Sequence, residues 1–127
     1  MYELEERSEK VTIAGEEHNF VLTTKATKEI SKRYGGLEKL GEKLMKSESF
    51  ELAIDEMIFL VTLLANQGIL INNLIHKDKQ RECLTEEKVE LLTSPIELTN
   101  FKESIMSAML KGTKRNIESE EDETKNV

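Results

Sequence analysis

The sequence has no tryptophan, one proline and one cysteine, and aromatic residues make up only 5% of it. A single cysteine, Cys83, excludes an internal disulfide. Its neighbours Arg81 and Glu82 give no activating environment, so an ordinary thiol is expected there. The only two imidazoles, His18 and His76, have no second His or Cys at ligand spacing, so no metal site is expected and both are read as surface residues. Gly35-Gly36 lacks the Gly-Lys-Ser/Thr context of a phosphate loop. No Ser–His–Asp set stands out, and neither an enzyme nor a cofactor is indicated. Basic charge is also short: the net charge is -7, which opposes both phosphate backbones and anionic membrane surfaces. Met1–Arg7 has neither the basic nor the apolar region of a signal peptide, which favours a cytoplasmic protein.

With few aromatics, the core must come from Leu, Ile, Val and Met, in a chain of 127 residues that suits one domain. Residues 1–9 are charge-dense and read as a flexible arm. Val11-Thr12-Ile13 and Phe20-Val21-Leu22 alternate around Ala14-Gly15-Glu16-Glu17. A β-hairpin is expected, with Val11, Ile13, Phe20 and Leu22 on one face and Gly15 in the turn. Thr23 or Thr24 can cap a helix running to Tyr34, with Ala26, Ile30 and Tyr34 four apart and Gly35-Gly36 ending it. A second helix is expected from Leu37 to about Lys46 through Leu37, Leu40 and Leu44. The linker from Lys46 to Ser49 closes on a serine N-cap.

The longest apolar stretch predicts a central helix from Phe50 to His76. With Asp55 at zero and about 100° per residue, Thr62, Asn66 and Asn73 fall within about 20° of it as a narrow polar stripe. Phe50, Ile54, Met57, Val61, Leu64, Gly68, Ile71 and Ile75 form the opposite seam. A second row, Leu60, Leu63, Gln67, Leu70 and Leu74, runs beside it. Asn66-Gln67 and Asn72-Asn73 interrupt the run, so a core helix fits better than a membrane span. Asn66 and Asn73 are expected to face water. Gln67 and Asn72 lie off the stripe and are candidates for specific contacts. Phe59 and Ile69 flank the stripe at about 40° on either side. Together with Leu70 they are the side chains expected to stay partly open for a partner.

Residues from His76 to Cys83 read as a loop. Thr85 caps a helix with Glu86-Glu87 in its first turn. Ser94-Pro95-Ile96-Glu97 opens a last helix with a capping box. It carries Phe101, Ile105, Met106, Met109 and Leu110 and is expected to end near Gly112. Residues 118–127 hold five acids and one lysine and read as a disordered acidic tail. The expected architecture is mainly α with a short N-terminal hairpin: an arm over 1–9, one helical domain over 10–116 built around the apolar helix, and a tail over 117–127.

The order of these features, with Thr24 to Leu40 ending in Lys32-Arg33-Tyr34-Gly35-Gly36, the apolar helix from Ala53 to Ile71, and Leu84-Thr85-Glu86-Glu87, resembles the tail assembly chaperones of long-tailed phages and prophages of Gram-positive bacteria. The resemblance covers about residues 10–112 and carries over no binding residue. It implies a non-enzymatic chaperone of the host cytoplasm. Such a protein coats the tape measure protein, works beside the major tail protein during tube assembly, and is absent from the mature virion. It also allows a homo-oligomer. A different class remains open: a small bacterial or prophage regulator that binds DNA or an RNA polymerase subunit through its helices, the pair around Gly35-Gly36, with Lys25, Lys28, Lys32 and Arg33, imitating a helix-turn-helix.

Overall fold

The computed structural model describes residues 4–46 and 54–125, and the side chains of 6–46 and 54–113. The chain turns back on itself at Ala14 and Gly15, both at positive φ (51° and 83°). That is the two-residue loop whose twist suits a right-twisted hairpin. It joins β1 (Ser8–Ile13) to β2 (Glu16–Val21), paired antiparallel with Val11 opposite His18 and Glu9 opposite Phe20. Opposed residues share a face, so Val11, Ile13, His18 and Phe20 point together into the core, and Leu22 just past the strand is buried as well. His18 is therefore not a surface residue: it is 2% exposed. The expected arm over 1–9 also differs. Leu4–Arg7 forms a helical turn, α1, and Ser8 already belongs to the sheet.

Thr23 caps α2 (Thr24–Tyr34), accepting from the Ala26 N–H, and Gly35 ends it in the left-handed conformation. After it come α3 (Leu37–Lys46), α4 (Ile54–Ile75), α5 (Glu86–Leu92) and α6 (Pro95–Lys125). The molecule is mainly helical with a two-stranded N-terminal hairpin, and α4 is its centre. α4 packs on β2, α5 and α6, while α6 also covers both strands. By length and composition α4 could cross a membrane, yet half of its most apolar stretch is buried inside the protein. Lys46 of the expected linker ends α3, and the rest of that linker, its serine cap and Phe50 lie outside the described residues.

One apolar cluster runs from Val11 on the hairpin to Ala108 on α6, and includes Leu60, Val61, Leu64 and Ile105 at 0% exposure. Gly68 is where α4 meets the hairpin most closely: a Cβ there would lie 2.4 Å from the Asn19 carbonyl oxygen. Gly112 does not end α6 as expected. It is absent from the positive-φ residues, and a Cβ on it would come within 3.0 Å of Leu22. It serves helix–hairpin packing, and the helix backbone continues to Lys125 through most of the expected acidic tail. β1 is tied to α6 by Lys111 Nζ and Ser107 Oγ, both donating to Glu9 Oε2 at 2.8 Å. The Lys111 bond, then the Ser107 bond, hold the Glu9 carboxyl below its usual range.

Candidate functional site

A groove of about 640 Å³ lies between α3 and α6. It exists because each helix carries more apolar surface than the core absorbs. On α3, Leu40 and Leu44 are fully buried, while Met45, one position further round, is 76% exposed. On α6, Ile105 and Ala108 are buried and Leu110 is 65% exposed. Leu37, Met106 and Met109 are half-buried between them. Gly41 leaves the α3 wall open, since a Cβ there would meet nothing within 4 Å. Among the described residues, Glu38 is the one charged side chain in the lining. The lining hydroxyls are engaged within the protein: Ser107 donates to Glu9, and Thr113 to the Met109 carbonyl. Such a wall has little to offer a polar substrate and suits apolar side chains.

The charge around the groove is sorted by helix geometry. Taking about 100° per residue, Glu38 and Glu42 fall on the groove side of α3, and Lys39 and Lys43 on the other. Lys43 indeed turns away, reaching Glu56 Oε1 at 2.8 Å. On α6, Lys111 is drawn to the Ser8 carbonyl and Glu9. Lys102 is half-buried and already engaged within the protein. Glu103, one turn before Met106, is exposed, as is Glu42. The rim is acidic.

The residues singled out from sequence lie elsewhere, on α4. Phe59 is half-buried beneath Arg33, whose guanidinium lies 4.2 Å from the ring centre, with Tyr34 beside it. Burial, with Glu56 nearby, pushes the Tyr34 phenol up to about 12. Ile69 is 2% exposed, so it is not open as expected: α4 is covered on that flank too. Leu70 is 37% exposed. Gln67 is buried and contacts its own chain, accepting from the Thr23 hydroxyl that caps α2 and donating to the Leu63 carbonyl. Asn72 donates to the Lys79 carbonyl.

The polar stripe does not simply face water. Asn66 Nδ2 donates to the Leu84 carbonyl at 2.8 Å, and its Oδ1 accepts from the Leu84 N–H at 2.7 Å. Asn73 treats Arg81 in the same way, at 2.9 Å for both bonds. Two amides, two helical turns apart, thus hold the segment from Arg81 to Leu84 along α4 as a neighbouring strand would. Thr62, in the same stripe, is buried.

Burial lowers the His18 pKa first and the Arg81 charge lowers it further, against Glu16, which raises it. Cys83 is a half-buried thiol and His76 is exposed. Among the described residues no three His, Cys, Asp or Glu side chains gather as metal ligands would. No family model matches the chain, and neither a curated protein nor a solved structure matches it. The groove escapes a reading of the sequence because Met106, Met109 and Leu110 all fit a core-facing stripe. The available signal is Met45, one position beyond the buried Leu44 and so off the core row.

Proposed function

We propose that the chain is a non-enzymatic tail assembly chaperone of a long-tailed phage or prophage, binding the tape measure protein in the host cytoplasm and leaving before the tail is complete. The observation that carries this reading is the open, methionine-lined groove between α3 and α6. An apolar opening of this size on an otherwise highly charged chain marks a place for another protein. Methionine side chains adapt to varied apolar surfaces, which suits a protein that binds apolar segments of another chain. The order of hairpin, basic-aromatic-Gly helix end and apolar central helix supports the family part of the reading.

The test is co-expression of the tagged chain with a tape measure protein of a long-tailed phage of Gram-positive bacteria. Co-purification of the two, and a soluble tape measure protein only when the chain is present, is the expected result. A tape measure protein equally soluble alone and never captured would refute the reading. The regulator alternative rests on Lys25 and Lys28, which are exposed on α2, whereas Lys32 pairs with Glu29 and Arg33 stacks on Phe59. A gel shift with duplex DNA at low salt separates it, and no shift is expected.

A further inference from the structure

We infer that the α3–α6 groove takes an α-helix whose apolar stripe is flanked by lysines or arginines. The inference rests on the reading of the chain as a partner-binding protein and adds the chemistry of the partner. Backbone hydrogen bonding decides the shape. The walls are apolar, and among the described residues the two lining hydroxyls, Ser107 and Thr113, already donate within the protein. An extended or irregular segment laid there would bury N–H and C=O groups without partners, whereas a helix brings its own satisfied. Size agrees. α3 has ten residues, about 15 Å of wall, which matches about three turns of a partner helix.

Charge decides the flanks. Glu38 lies in the lining, and Glu42 and Glu103 stand exposed along the two sides, while Lys43 and Lys111 are drawn away by Glu56 and Glu9. A helix entering with Lys or Arg beside its apolar stripe meets complementary potential on both walls. The same rim disfavours a second copy of this chain. A symmetric pairing would set Glu38, Glu42 and Glu103 against their own counterparts, on chains of net charge -7.

The experiment is fluorescence anisotropy of the full chain with two helical peptides of about 15 residues, long enough for the groove. They share one Leu/Met stripe and differ only in flanks, Lys in one and Glu in the other. The Lys-flanked peptide should bind about tenfold tighter, a preference of the size a few partly exposed ion pairs supply, and should weaken with added salt. Leu110→Glu should remove its binding. Glu38→Lys with Glu42→Lys, both on exposed helix positions, should leave the circular dichroism spectrum in place and reverse the order of the two peptides.

Equal binding of both peptides, binding of neither, or an order unmoved by the charge reversal would overturn the inference. So would a dimer in light scattering that Leu110→Glu dissociates, which would make a second copy the occupant. Failure here is separable from failure of the chaperone reading. If the charge-reversed protein captures the tape measure protein undiminished, the function stands and the groove assignment falls. If the peptides bind as expected but the tape measure protein is never captured, the groove assignment stands and the function falls.

Discussion

Asn66 and Leu84, eighteen positions apart, exchange two hydrogen bonds: the amide of one side chain serves both backbone groups of the other residue. This pairing joins α4 to the start of α5 and fixes where the intervening loop lies. Asn66→Ala leaves the Leu84 N–H and carbonyl, both partly buried, without that partner. Each bond contributes about 0.5–1.5 kcal/mol, so a loss of about 1–3 kcal/mol is expected in denaturant unfolding. Asn73→Ala, at a more exposed site, should cost less. An Asn66→Ala protein as stable as the parent would show that the loop is held by something else.

Gly68 and Gly41 both sit inside helices, yet alanine should act on them in opposite directions. In an open helix position Gly→Ala stabilises by up to about 1 kcal/mol, and Gly41 has open space beside it. At Gly68 the new methyl would lie 2.4 Å from the Asn19 carbonyl oxygen, forcing α4 away from the hairpin. Overpacking of this kind costs about 1–3 kcal/mol, which outweighs the propensity gain. Thermal melts of the two variants should therefore shift to opposite sides of the parent, and a stabilised Gly68→Ala would contradict the helix–hairpin contact.

Leu64→Ala tests the assigned core face of α4. Leu64 is completely buried, so truncation should cost about 2–5 kcal/mol by loss of apolar burial and by the cavity left behind. A parent-like melting curve would misplace the helix.

Much of this fold is legible in the sequence because local chemistry and burial agree. Thr23, Gly35, Thr85 and Ser94 mark helix ends in sequence and in structure. Other features depend on what tertiary contacts do with ambiguous residues. The alternation that turns Phe20 and Leu22 inward also turns His18 inward, but a histidine two residues earlier reads as polar surface. The amides at 66 and 73 look like a solvated stripe until a loop lies against them. Gly112 resembles a terminator when its role is close approach to Leu22. The groove is the least legible part. A helical wheel marks an apolar flank, but whether a neighbour covers it depends on how far α3 and α6 separate.

His18 gives the stability a defined pH dependence. Its folded-state pKa is depressed, chiefly by burial, so folding favours the neutral ring. That contribution is fully present above the unfolded-state value of about 6.5 and is lost as the pH falls through it toward the lower folded value. Melting midpoints should decline between about pH 7.5 and 5.5, before the carboxylates titrate, and His18→Gln should flatten the decline. An unchanged slope in the variant would place the pH dependence elsewhere.

The central claim is that α3 and α6 together receive a partner, and hydrogen–deuterium exchange of the full chain with and without the proposed partner, a tape measure protein, tests it most directly. Added protection should concentrate in Leu37–Lys46 and in residues 105–113. Protection gained only near the other exposed apolar groups, at Leu74 and Ile75 or at Leu91 and Ile96, with the groove segments exchanging as before, would contradict the claim.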